Sequence, residues 1–109
     1  MATTYKVLAQ AAPSATTSTD VYTVGAGKSA VISTMVICNR ATAQASYRIA
    51  IRPAGATLAN QHYIAYDVTL AASDSTTLTL GITLAATDVV TVYCSTATQS
   101  VSIFGSEIA

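Results

Sequence analysis

The chain has 109 residues, of which 9% are charged and 51% apolar; its five basic and five acidic residues cancel. Soluble monomers commonly carry about 25% charged residues, and a neutral, β-prone surface tends to self-associate, so most of this surface is expected to meet other subunits. The balance of charge excludes the basic footprint that nucleic-acid binding requires, and no window of about 18 uninterrupted apolar residues is long enough to span a bilayer as a helix.

The predicted elements are all strands, because Thr, Val and Ile recur throughout, side chains branched at Cβ favour the pleated backbone, and no segment keeps a helical period. Residues 5–10 form the first. Residues 11–20, with Pro13 among Ser and Thr, read as an irregular loop or arm. A short strand at 21–24 ends at Gly25-Ala26-Gly27, a turn. Residues 30–39 are the most apolar strand, with Val31, Met35 and Ile37 on one pleat face and Ile32, Val36 and Cys38 on the other. Residues 45–52 alternate, Ala45, Tyr47, Ile49 and Ile51 against Gln44, Ser46, Arg48 and Arg52. Pro53-Ala54-Gly55 turns the chain, and 62–70 places His62, Ile64, Tyr66, Val68 and Leu70 on one side. After Ser73-Asp74, residues 76–84 read as one strand with Leu78, Leu80, Ile82 and Leu84 inward. Thr87-Asp88 leads into 89–94, and the last strand is 100–104, followed by a short tail.

These runs give a single all-β domain over residues 1–109, an antiparallel two-sheet β-sandwich of about eight strands, with a jelly roll as one winding that fits. Free sheet edges are usually blunted by Lys, Pro or inward-pointing charge. This chain has little of either, so its edges are expected to be covered by another subunit.

No constellation points to catalysis. Gly25-Ala26-Gly27-Lys28-Ser29 ends like a phosphate-binding loop, but the first glycine of that motif would fall at Tyr22 and a strand follows where a helix is needed. His62 is the single histidine, on an apolar strand face, where packing or an interface contact is the expected role. With two dispersed cysteines it makes no zinc site, and no metal or cofactor is expected. Cys38 and Cys94 read as buried free thiols, with a disulfide between neighbouring strands as the alternative. Asp20, Asp74 and Asp88 are assigned to turns, and Asp67 to a pair with Arg48 or Arg52. The six tyrosines are read as core and interface anchors. The start of the chain lacks the basic and apolar regions of a secretory signal, so synthesis in the cytoplasm is expected.

Val36-Ile37-Cys38-Asn39-Arg40, Arg48-Ile49-Ala50-Ile51-Arg52, His62-Tyr63-Ile64-Ala65-Tyr66-Asp67, Leu78-Thr79-Leu80-Gly81-Ile82-Thr83-Leu84 and Phe104-Gly105-Ser106-Glu107-Ile108 resemble segments of small structural virion proteins of tailed bacteriophages, including phages of cyanobacteria and other aquatic bacteria. The resemblance runs along nearly the whole chain. It implies a non-enzymatic virion protein that binds the assembled particle as capsid decoration or cement, or as a neck, tail or baseplate accessory, and it carries over no catalytic residue. With the neutral composition, this gives a homo-oligomer, expected as a trimer, whose partners are its own copies and other virion proteins. The residues expected at interfaces are Tyr5, Val7, Asn39, Arg40, Arg48, Arg52, His62, Tyr66 and Glu107. The alternative is a receptor- or glycan-binding module on the virion surface or fibre, with Asn60, Gln61 and Tyr63 at its pocket.

Overall fold

A computed structural model describes residues 2–109. Its strands are β1 (Thr3–Ala11), β2 (Thr17–Thr23), β3 (Ser29–Asn39), β4 (Ala45–Arg52), β5 (Tyr63–Leu70), β6 (Ser75–Leu78), β7 (Ile82–Leu84), β8 (Val89–Cys94) and β9 (Gln99–Ile108), with single 3-10 turns at Pro53–Gly55 and Asn60–His62. One sheet runs β1-β9-β3-β6, with β7 also on β3, and the other runs β2-β8-β4-β5. All strand pairs are antiparallel. With β6 and β7 sharing one position, this is the eight-position order of a jelly roll, in which successive strands mostly alternate between sheets.

The core lies between the sheets. Met35, Ile37 and Ile103 from the first sheet meet Tyr47, Ile49, Val90 and Val92 from the second, all at most 1% exposed. Burial on the scale of about 1.5–3 kcal/mol per large apolar side chain is the main term holding the layers together. The alternation of β4 matches its expectation from Ala45 to Ile49, with Ala45, Tyr47 and Ile49 buried and Arg48 and Arg52 on the outer side; beyond it Ala50 is buried as well and Ile51 only partly.

A row of irregularities crosses the first sheet at the level of Phe104. On β1 the register shifts between Val7 and Ala9, and on β3 between Ile32 and Thr34, both against β9. On the far side Leu78 pairs with Met35 but Ile82 pairs with Ile32, so residues 79–81 face only 33 and 34. An extra residue resets the pleat and sharpens the local twist. This corrects the expected faces of β3: Ile32, not Val31, joins Met35 and Ile37 inside. It also divides the single strand expected at 76–84. Gly81 adopts φ +62° at the break, and Leu80 turns outward, 49% exposed.

Three further expectations change. The loop expected at 11–20 is strand from Thr17 onward, because an edge strand satisfies its backbone on β8 without needing apolar side chains. Pro13 in the remaining connection is buried, and the Thr16 amide donates to the Cys94 carbonyl at 2.8 Å. The last strand continues to Ile108 because β9 is paired on both sides, by β1 and β3. On β5, Ile64, Tyr66 and Val68 are exposed and only Leu70 is fully buried. That edge strand has two register shifts and a positive φ at Asp67.

Candidate interaction surfaces

Most of the chain's sparse charge is spent inside the molecule. Lys6 pairs with Glu107, Arg48 with Asp67 and Arg52 with Asp20. Asp88 accepts the Ala54 and Ala85 amides, each at 2.8 Å, and Asp74 accepts the Ser75 amide at 2.8 Å. Among the described residues, Lys28 and Arg40 are the cations outside these ion pairs. The remaining surface is hydroxyl, amide and apolar.

The outer face of the second sheet carries an aromatic and guanidinium stack. The Arg48 guanidinium lies 4.2 Å from the ring centroid of Tyr66 and 4.4 Å from that of Tyr93, and it is held by both carboxylate oxygens of Asp67. Asp67 beside Arg48 raises the guanidinium further above its ordinary range. Tyr63 meets Tyr66 edge to face with centroids 4.9 Å apart. Alongside, Arg52 bonds the Thr91 hydroxyl at 3.1 Å and Asp20 at 3.0 Å, while Thr91 donates to Asp20 at 2.9 Å. The residues come from β2, β4, β5 and β8, whose adjacent register brings them to one face. Tyr66, 56% exposed, is the part of the stack most open to a partner. A planar cation fixed between rings is pre-organised for contact, since little side-chain freedom is left to lose on binding.

The first sheet presents a different surface. Tyr5 is 84% and Val7 49% exposed on edge strand β1, and beside them an open groove of about 640 Å³ is lined by Tyr5, Val31, Ser33, Phe104 and Ser106. On the opposite, inner side of this sheet Glu107 ties the two sheets together. It accepts the Tyr22 hydroxyl from β2 at 2.9 Å and the Lys6 ammonium from β1 at 2.7 Å. Burial, then the neighbouring carboxylate, pushes the Tyr22 phenol above its ordinary range, while the Lys6 and Tyr22 bonds hold Glu107 below its ordinary 4.5. A depressed folded-state pKa means that the stability Glu107 contributes is present above 4.5 and is lost as pH falls through its lower folded value. Glu107→Gln is therefore expected to destabilise the protein by about 1 kcal/mol at pH 7, with the gap to the wild type closing in strong acid. Urea unfolding at pH 7 and at pH 3 measures this; an equal gap at both would show that the carboxylate charge contributes nothing.

Of the residues expected at interfaces, Tyr5, Val7, Arg40 and Tyr66 are exposed, and Arg48 and Arg52 are half-buried within the outer-face networks. Glu107 is the inter-sheet latch just described. Asn39 is a correction, being enclosed at 1% exposure, and His62, at 8%, takes the packing role in place of the interface contact. The Asn39 amide nitrogen donates to the carbonyls of Ala43, Leu70 and Ala71, and its oxygen accepts the Ala41 amide and the Thr98 hydroxyl. His62 Nδ1 accepts the Ala59 amide at 3.1 Å, closing the turn before β5. Asp20 also departs from its expected turn and lies within β2 as a partner of Arg52. Asp67 takes Arg48, one of its two expected partners. Cys38 and Cys94 are free, and burial pushes the Cys94 thiol up to about 11, far from a reactive thiolate at neutral pH.

The sequence marks Tyr93 only as one of six core or interface tyrosines and Phe104 only as the end of the last strand. Tyr93 alternates with buried Val92 and Cys94 on β8, a period-two signal that places it outward. Phe104 reaches the groove through the bulge row, which leaves no mark in a one-dimensional pattern. No family model, curated protein or solved structure matches the chain.

Proposed function

We propose that this chain is a non-enzymatic structural protein of a tailed-phage virion that self-associates and binds the assembled particle. The observation that carries the reading is the disposition of charge. Three of the five cations are neutralised within the fold, while large side chains such as Tyr5, Tyr66 and Leu80 stand in solvent at 84%, 56% and 49% exposure. A surface of that kind favours association over dispersal. The jelly roll agrees with this role, being used by viral capsid and lectin domains.

In this reading the Arg48, Tyr66 and Tyr93 stack is the face that meets the particle. The expected result is that purified protein binds particles lacking it, with saturating copies in the hundreds for a head position and a few dozen or fewer for the neck or tail. Replacing Arg48 and Tyr66 together by Ala is expected to lower the copies bound at least about tenfold, since exposed aromatic and Arg residues dominate contact energies, with unchanged far-UV circular dichroism. Full binding by the folded double variant would remove this face from the interface, and absence of binding by the wild type would remove the virion role.

A second reading has its own observation. Tyr63 packs edge to face on Tyr66, and Asn60 and Gln61 are exposed in the 3-10 turn just before β5, so one short segment supplies the aromatic and amide groups that sugar sites use. Binding to immobilised glycans, with loss on Tyr63→Ala and no binding to particles stripped of glycan, would favour that receptor-binding role.

A further inference from the structure

The sandwich has four edge positions, and three of them are blunted. β2 carries a register shift between Asp20 and Tyr22, β5 carries two shifts and the positive φ of Asp67, and β6 and β7 are four and three residues long with a break between them. β1 differs. Its one shift, between Val7 and Ala9, lies at the far end of a longer regular run: from Thr3 to Val7 it pairs with β9 in unbroken register, all five residues are exposed, and among the described residues no strand lies on its outer edge. There is no proline in this run, and its one charge, Lys6, is bound to Glu107 at 2.7 Å. An open row of backbone donors and acceptors without a blunting device accepts another extended strand.

We propose that this strand is β1 of a second copy, paired antiparallel across a two-fold axis that passes through Tyr5. The proposal rests on the self-associating reading above and specifies its geometry: a closed two-fold contact, in place of the trimer expected from composition. An axis perpendicular to the sheet keeps outer faces together, so residues i and 10 − i face each other in this register. Tyr5 then meets Tyr5 of the second copy, Thr3 meets Val7, and Thr4 meets Lys6. On the outer face the established partners of β1 extend these pairs into rows, Phe104–Val7 running into Thr3–Ile108 of the second copy and Ser106–Tyr5 into Tyr5–Ser106. On the inner face Lys6 faces Thr4 of the second copy, whose own neighbour on β9 is Glu107.

Charge selects this register. Each Lys6 keeps its own Glu107 and gains the Glu107 of the second copy in the same row, two strands away. Moving the axis to Lys6 opposes two ammonium groups directly, which is unfavourable, and moving it to Thr4 loses both the Tyr5 pair and the Val7 contact. The pairing is isologous, so it closes at two copies and leaves no growing end. It joins two first sheets into one and leaves the Arg48 face free for the particle.

The test compares the full-length wild type with Tyr5→Lys, Tyr5→Cys and Gln10→Cys by sedimentation equilibrium and by oxidation to a covalent dimer. Tyr5→Lys puts two like charges on the axis and is expected to raise the dimer dissociation constant at least about tenfold without changing the circular dichroism. Opposed Cα atoms of antiparallel strands lie about 4.5–5.5 Å apart, within the usual disulfide span of about 4.4–6.8 Å. Tyr5→Cys is therefore expected to cross-link readily, while Gln10→Cys, exposed on the same strand but beyond the paired run, is not. A wild-type oligomer unaffected by Tyr5→Lys, or cross-linking equal in the two cysteine variants, overturns the β1 pairing and leaves self-association standing. A wild type that stays monomeric overturns both.

Discussion

Replacing Gly105 by alanine is expected to destabilise the protein by about 3 kcal/mol or more, above the usual range for overpacking, and to lower the melting temperature by roughly 12–20 °C in a domain of this size. A methyl group on Gly105 would lie 2.0 Å from the Val31 carbonyl oxygen, 3.0 Å from its carbon and 3.1 Å from the Ile32 Cα. All three atoms belong to the backbone of β3, so no rotamer change relieves the clash. β3 and β9 would have to separate where Gly105 pairs with Ile32, in the middle of the first sheet and next to the bulge at Ser33. Gly27 supplies the contrast: nothing lies within 4 Å of an added methyl there, and the cost comes from its φ of +75° alone, about 1–2 kcal/mol. Thermal unfolding of the two alanine variants followed by circular dichroism should rank them in that order. A Gly105→Ala protein melting within a few degrees of wild type would contradict the close approach of β9 to β3.

Asn39→Asp is expected to be nearly as damaging although it preserves shape. The side-chain nitrogen of Asn39 lies 2.8, 3.4 and 3.3 Å from the carbonyl oxygens of Ala43, Leu70 and Ala71. An aspartate would direct an oxygen at those three acceptors in a site that is 1% exposed. A buried charge without a partner costs about 3–5 kcal/mol. Burial and the facing carbonyls would raise the aspartic acid pKa in the folded state above its unfolded value of about 3.9. With a raised carboxyl pKa the folded state binds more protons, so the variant is least stable at neutral pH and recovers as pH falls through the raised value. Urea unfolding of wild type and variant from pH 7 to pH 4 checks the sign. A gap that is constant or widens in acid would mean that the amide is not donating to these carbonyls. Asn39→Ala, which removes the donor without adding charge, should cost less, about 1–3 kcal/mol.

Both predictions fall on residues whose importance the sequence hides. Gly105 looks like a turn residue near the end of the chain, and Asn39 like the polar cap of an apolar strand and a candidate surface contact. What made them matter is long-range: Gly105 lies against a strand more than 70 positions earlier, and Asn39 binds loops around residues 42, 71 and 98. The same holds for Glu107, whose partners Tyr22 and Lys6 come from the other end of the chain.

The pattern of strands was far more legible. β4 and β8 have the boundaries that their alternation and flanking turn residues predict, and β3 begins one residue early. Pro53-Ala54-Gly55, Ser73-Asp74 and Thr87-Asp88 are all turns, with positive φ at Ala54, Gly55, Ser73 and Thr87. The misread segments share one cause. Residues 17–20, 64–68, 80 and 105–108 lie in strands, or at breaks between them, whose form depends on a neighbouring strand rather than on their own polarity.

From the sequence alone came the all-β class, the two-layer sandwich and the turns between strands, because a period of two and turn chemistry are local properties of the chain. The scarcity of charge was equally plain from composition. Only the tertiary structure decided the strand order, the row of bulges that turns Ile32 inward and Leu80 outward, the pairings of Lys6 with Glu107 and Arg52 with Asp20, and the choice of Arg48 over Arg52 as the partner of Asp67. Register and ion pairing depend on which distant strands lie side by side, and an extra residue in one strand is felt by its neighbours across the sheet.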